Sequence, residues 1–299
     1  MYDVLCIGLT CCDLIFADME GFPILGKEMA CKDFMIKAGG AANTAVALAR
    51  LGVKTIFSTI IGNDVTGNIV YDYLTKMGLN MSGVARKDNY RTTVSAVLSL
   101  KEERGFATYF APLDKDLMVN QVEKYIQDCS HVHASIYDCL NLPVVDITQK
   151  YNKTLSVDTA WDETIKLDDI KHIISASDIF FTNEIEACSI TGAKTCEEAL
   201  DMIGRYANIA VVKKGKEGSI VKKGKDIINV SSVKGVVSVD TTGAGDMYCA
   251  GFIYGYLKNW KLEDCAKFAS ASGSLGVTFY GGMDEKYTFD NVKNYYNKF

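Results

Sequence analysis

Short apolar runs, each followed by a stretch with helical spacing, recur along this 299-residue chain and constrain its fold more than any other feature. Val4 to Gly8, Lys54 to Ile61, His131 to Ile136, Thr154 to Asp158, Ile179 to Phe181 and Ile209 to Val212 read as strands. Between them, Asp64 to Met77 (stopped by Gly78), Asn120 to about Asp128 and Pro143 to Tyr151 carry helical periodicity. Strands alternating with helices predict an α/β fold with parallel strands. The rhythm breaks twice. Leu14 to Phe34 lacks helical spacing and carries Gly21, Pro23 and Gly26. Thr92 to Leu100 and Phe106 to Phe110 flank a polar turn, Lys101 to Gly105, and read as a hairpin. These two β-rich segments are expected to pair into one accessory sheet. No repeat, low-complexity tract or linker divides the chain, so one main domain is expected.

A net charge of −5 argues against binding to a nucleic-acid backbone. The local basic run Lys213-Lys214-Gly215-Lys216 suits a small polyanion instead. Ten cysteines without a Cys-x-x-Cys pair, mostly inside apolar runs, fit a reducing compartment and neither a disulfide framework nor a zinc site. His131 and His133 share one strand face and read as structural. The chain opens on a strand and has no apolar run of spanning length. The expectation is a cytoplasmic protein without signal peptide or membrane segment.

The most chemically suggestive stretch is Asp240-Thr241-Thr242-Gly243-Ala244-Gly245-Asp246, read as following an apolar strand, Gly235 to Val239, and opening an apolar helix. A glycine turn at a helix start gathers free N–H groups and the positive end of the helix dipole at one point, which suits an anion. Asp246 in the first turn would sit beside that anion and could take a proton from an attacking nucleophile. An acidic first-turn residue is also common for helix stability alone, and for an isolated Gly-x-Gly-Asp that plainer reading is favoured.

Other positions carry paired readings. Asp13, in a loop just past the first strand, is placed to meet ligand or is a turn residue. Gly39-Gly40 opens an alanine-rich helix stopped by Gly52, with Asn43 in its first turn able to donate to and accept from a polyol. Asn183 and Glu186 form a capping-box pair or stand near a magnesium ion held through water. Gly21 to Lys27 matches most of a P-loop, but Glu28 occupies the place of the metal-binding hydroxyl, and the flanking strand and helix are missing. That match is rejected.

Ala38-Gly39-Gly40-Ala41-Ala42-Asn43 together with Asp240 to Asp246, in that order and at that separation, resembles the PfkB (ribokinase-like) carbohydrate kinase family across nearly the whole chain. The resemblance implies a ribokinase-like three-layer sandwich with a mostly parallel central sheet and a small β-sheet lid. Residues 1–299 would form a single domain, with lid segments at about 12–37 and 90–112. It implies ATP-dependent phosphoryl transfer to a sugar hydroxyl, with Asp246 as base and the N–H groups of Gly243, Ala244 and Gly245 as anion hole. Asp13, Gly39, Gly40 and Asn43 match the sugar-holding positions, while Asn183, Lys213, Gly215, Gly218 and Ser270 match the nucleotide side. Glu186 would meet Mg2+ through water; Asp240, Thr242 and Gly281 match a monovalent-cation site, with K+ the ion implied. Lids of several members pair between subunits, which implies a homodimer.

Two departures bear on substrate. Cys11 stands where ribokinases carry asparagine, and Ala41-Ala42 where they carry Lys-Gly. Ribose is therefore not expected. Arg91, Thr93 and Tyr109 are lid positions that could face the sugar. A nucleoside kinase of the same fold is the near alternative. A catalytically silent binder is disfavoured because it has no chemical need of Asp246, and a nicotinamide-dependent dehydrogenase fails because no Gly-x-Gly-x-x-Gly follows a strand.

Overall fold

The computed structural model describes residues 1–100, 104–160 and 162–299. Along the chain, β1 (Val4–Ile7), β2 (Thr10–Ala17) and β3 (Asp33–Gly40) precede α1 (Ala42–Arg50), β4 (Thr55–Gly62) and α2 (Val65–Lys76). Next come β5 (Val84–Lys87), β6 (Thr93–Ser99), β7 (Arg104–Tyr109), α3 (Lys115–Ile126), β8 (His131–Ser135), α4 (Ile136–Asn141), α5 (Val144–Lys150) and β9 (Thr154–Asp158). Then follow α6 (Leu167–Ala176), β10 (Ile179–Asn183), α7 (Glu184–Thr191), α8 (Cys196–Ile203), β11 (Ile209–Lys213), β12 (Ser219–Lys223) and β13 (Asp226–Val230). Helices α9 (Ala244–Leu257), α10 (Leu262–Gly276) and α11 (Phe289–Tyr296) close the fold.

Nine strands form the main sheet in the order β13-β12-β11-β10-β9-β8-β1-β4-β5. Every pairing from β11 to β5 is parallel, and β12 and β13 add an antiparallel edge. Side chains alternate across the sheet, so each strand feeds two cores. Cys6, Phe57, Phe181 and Val211 pack under α1, α2, α9 and α10. Their neighbours Leu5, Ile56, Phe180 and Val212 pack against α3 to α8 on the other face. Three layers result, as expected. His131 and His133 lie inside this arrangement, bonded to Thr154 and Ser156, and burial pushes both rings down to about 3, so they stay neutral and structural.

The two β-rich segments do pair, as a four-stranded sheet in the order β3-β2-β6-β7. The expected Lys101–Gly105 turn falls partly on residues 101–103, outside the described residues. Cross-strand register places Asp13 opposite Lys37 and Ser95, and Ser95 opposite Thr108, so these polar side chains share one face. Leu14, Phe16, Phe34, Ile36 and Tyr109 occupy the other face. The inner face carries these polar side chains at its Asp13 end beside buried Ile15, Ala17 and Val97, while the outer face leaves Phe34, Ile36 and Tyr109 exposed.

Three expectations about elements are corrected. Thr10 to Asp13 is not a loop but the start of β2, because its backbone pairs with β3 on one side and β6 on the other. Gly235 to Val239 is not a strand. Its branched residues favour extension, yet Val237 is 79% exposed and the main sheet has already ended at β13. Helix α3 begins five residues before Asn120, where Asp114 accepts from the Leu117 N–H. No helix among the described residues is long and apolar enough to cross a membrane.

Candidate active site

Helix α9 starts from Gly243, whose φ of +75° and contact with Gly282 (a Cβ would lie 2.3 Å from its Cα) leave room for no side chain. Asp246 follows in the first turn, and the Met247 N–H closes the first helical bond on Gly243 O at 2.9 Å. Of the three expected anion-hole donors, Ala244 N–H is turned toward Thr241 O at 3.3 Å. Gly243 and Gly245 are therefore the better placed pair. Burial, opposed by the Asn43 amide, pushes the Asp246 carboxyl up to about 6.

Asn43 comes from the other end of the sequence. Helix α1 packs against α9, and Asn43 Nδ2 donates to Asp246 Oδ2 at 2.8 Å across 203 residues. Its own Oδ1 is buried without a protein donor, an arrangement that costs about 1–3 kcal/mol unless a hydroxyl or water meets it. Nearby on β2, burial pushes Asp13 up to about 6, partly offset by the Cys11 thiol, which donates to Asp13 Oδ1 at 2.9 Å. Gly39 lies flat against that carboxylate: a Cβ there would be 2.0 Å from Asp13 Oδ2. Gly40 turns the chain from β3 into α1 beside Leu9.

On the other side of the α9 start opens a cavity of about 770 Å3 lined by Asn183, Glu186, Lys213, Gly215, Gly218, Ser270 and the Gly243–Asp246 turn. Its size suits a nucleotide. A slightly larger groove, about 890 Å3, runs between α8 and β12 but contains none of the motif residues. Asn183 and Glu186 do form the capping box: Asn183 Oδ1 accepts from Glu186 N at 2.8 Å, and Glu186 Oε2 accepts from Asn183 N at 3.0 Å. Thr159 Oγ1 also donates to Glu186 Oε2, at 2.5 Å. Among the described residues no cluster of three or more His, Cys, Asp or Glu side chains could cage a metal. Magnesium that rides on nucleotide phosphates and meets a single acid through water needs no such cage. Ser270 is buried and donates to Ser231 O at 3.0 Å.

Lys213 differs from expectation. It does not reach out from the basic turn but folds under Gly245, its Nζ 2.9 and 3.0 Å from the two oxygens of Asp158. Burial lowers its pKa, but Asp158, with Cys249 and Glu186, carries it above the ordinary lysine value.

Asp158 and Arg104 were not identified from sequence. Asp158 was read only as a strand end, although an acid at the carboxyl end of a parallel strand was a usable signal. Arg104, on β7, crosses from the small sheet to donate to Thr241 and Thr242 Oγ1 at 3.0 Å each, 3.8 Å from Asp240 Oδ1. Nothing local marks it. Thr93, a position that could face the sugar, lies on the same face as Asp13 and accepts from Ala111 N at 3.0 Å, whereas Tyr109 lies on the outer face, 46% exposed. Arg91 is exposed just before β6.

A helix start on a glycine turn with a carboxylate inside it, a nucleotide-sized cavity on one side and an acid-bearing sheet on the other are the parts of a small-molecule phosphotransferase. The sequence pattern described as "pfkB family carbohydrate kinase" matches residues 1–286. The chain is 29% identical over 266 residues to 2-dehydro-3-deoxygluconokinase from Bacillus subtilis, covering 83% of this chain and 82% of the other. It is 25% identical over 294 residues to a nucleoside kinase from Methanocaldococcus jannaschii, with 98% and 96% covered. Its fold superposes on Arabidopsis thaliana ribokinase complexed with ribose and ATP with a TM-score of 0.83 at 22% identity, covering 99% and 98% of the two chains. The chain belongs to the pfkB family of carbohydrate kinases.

Proposed function

We propose that the chain transfers the γ-phosphoryl group of ATP to a hydroxyl of a small polyhydroxylated sugar lying against Asp13, Asn43 and the Gly39–Gly40 backbone. The observation that carries this reading is the 2.8 Å Asn43–Asp246 bond, which joins the sugar-side motif to the anion turn at one carboxylate. Asp246 takes the proton of the attacking hydroxyl; the new O–P bond forms as the bond to ADP breaks. The Gly243 and Gly245 N–H groups, with Ala244 weaker, hold the charge on the transferring group. Asn183, Lys213, Gly215, Gly218 and Ser270 flank the nucleotide. Glu186 would hold Mg2+ through water, and the ion would supply counter-charge on the phosphates.

The polar inner face beside Asp13, where Ser95 and Thr108 hydroxyls meet at 2.8 Å, favours a polyol over a nucleobase. The test is ADP release from Mg-ATP across pentoses, hexoses, dehydro-deoxygluconates and nucleosides. A sugar or sugar acid is expected to turn over best; turnover confined to nucleosides would overturn the sugar reading.

The small sheet acts in this reading as the lid, carried by segments 12–37 and 90–112 of one kinase domain. Its outward apolar face, with Phe34 48% and Ile36 37% exposed, favours a homodimer that covers it. Ten free thiols favour the reducing cytoplasm.

Activity is expected to fall on the acid side. Burial raises both Asp246 and Asp13 to about 6. Below that pH Asp246 already holds the proton it must accept, and Asp13 no longer presents a full carboxylate to hydroxyls. The logarithm of kcat/KM should therefore drop with a slope between one and two below about pH 6. A profile flat from pH 7 to 4.5 would remove the base assignment.

A further inference from the structure

We infer that Lys37 supplies, as a built-in ammonium, the positive charge that a monovalent metal ion would place in the 280–283 loop behind the anion turn, so that this kinase needs no such ion. The inference rests on the proposed role of the Gly243–Gly245 turn in binding the phosphoryl group.

The family resemblance implies a monovalent cation near Asp240, Thr242 and Gly281, and those residues do converge. Asp240 Oδ2 accepts from Gly281 N at 2.8 Å, while Oδ1 accepts from Thr242 N at 2.9 Å and Thr242 Oγ1 at 2.8 Å. The carboxylate is thus engaged by protein donors on both oxygens. Beyond Gly281, where a cation would need carbonyl oxygens, two carbonyls already share a partner. Lys37 Nζ donates to Tyr280 O at 2.5 Å and to Met283 O at 2.9 Å.

The path of the lysine is built for this. It leaves β3 on the inner face, and its stem lies on Gly281, where a Cβ would come within 2.9 Å of Lys37 Cδ. Gly281 also has a φ of +71°, so both backbone and space select glycine. Burial lowers the ammonium below the ordinary lysine value, opposed by the facing acids Asp284 and Asp240. From Lys37 the connections run through the 280–283 carbonyls to the Gly281 N–H, to Asp240, and to the Thr242 N–H directly before the anion turn. An ammonium and a potassium ion make the same demand on such a loop, converging carbonyls around one positive charge. The loop holds one such charge already. Lys37 is a positioning residue here: it acts on the turn through Asp240 and does not line the nucleotide cavity.

The test compares the wild-type chain with Lys37→Met in potassium, sodium and tetramethylammonium chloride at equal ionic strength. Turnover is measured on the best substrate, and thermal midpoint is measured without any substrate. Wild-type rate and midpoint should agree within about twofold and 1 °C between potassium and tetramethylammonium. Lys37→Met should lose at least tenfold in kcat in tetramethylammonium and recover several-fold in potassium, with a matching rise in midpoint. Loss without potassium recovery would reduce Lys37 to packing and overturn the inference, as would a variant equal to wild type. Should Lys37→Met fail to fold, the wild-type salt series decides: a fivefold or larger potassium stimulation overturns the inference and a flat response supports it. The midpoint needs no turnover, so an enzyme silent on every sugar would sink the proposed chemistry and leave the cation question answered separately.

Discussion

Asp246→Asn is expected to lower kcat by about a hundred- to ten-thousand-fold, the range of a positioned general base, with ATP and sugar affinities little changed. The substitution is nearly isosteric, and it keeps an oxygen for the Asn43 amide that now donates at 2.8 Å. Stability should not confuse the result. Burial raises the folded carboxyl to about 6, above its unfolded value near 3.9. A raised pKa contributes stability below the unfolded value and loses it as pH climbs through the folded one. At pH 7 the ionised group therefore costs stability, and removing its charge should leave the variant at least as stable as the parent. Single-turnover kinetics with the best sugar, alongside ATP titration calorimetry, separate the two effects. A kcat within threefold of wild type would show that the proton leaves by another route.

How far this site was legible depends on whether its residues signal locally. Gly243 and Gly245 were readable because a turn at a helix start demands small residues there, and the structure gives Gly243 the positive φ that follows. Asn183 and Glu186 were readable because a capping box is written within four residues. Lys37, Arg104 and Asp158 were not, because each does its work across the fold: 243 residues separate Lys37 from Tyr280, 137 separate Arg104 from Thr241, and 55 separate Asp158 from Lys213. An isolated lysine in a β-rich segment carries no mark of the carbonyls it will meet. The misread strand before Asp240 has the opposite cause. Val236, Val237 and Val239 have local β propensity, but propensity means little where the sheet offers no neighbour to pair with. Thr10 to Asp13 erred the other way, since its partners, Gly39 and Thr93 among them, lie about 30 and 80 residues ahead in the sequence.

Lys213 and Asp158 carry the second large effect. Their side chains are 13% and 15% exposed, and the ammonium contacts both carboxylate oxygens. Removing one partner of such a pair leaves a buried charge alone, which typically costs about 3–5 kcal/mol. Lys213→Met should lose that much in urea unfolding at pH 7, while Lys213→Met with Asp158→Asn should recover more than half of it, because no uncompensated charge remains. A single-variant loss below about 1 kcal/mol would mean the pair is solvated and structurally idle. The double variant also separates architecture from chemistry. Lys213 Nζ lies 3.4 Å from the point where a Gly245 side chain would begin, directly behind one of the two best anion-hole donors. If its charge serves the phosphoryl group, the double variant folds yet remains slow with weakened ATP binding. If Lys213 only balances Asp158, restoring stability restores turnover as well. The geometry favours the first outcome: an ammonium under the N–H groups adds to the field of the helix start, and Asp158 alone there would oppose any phosphate.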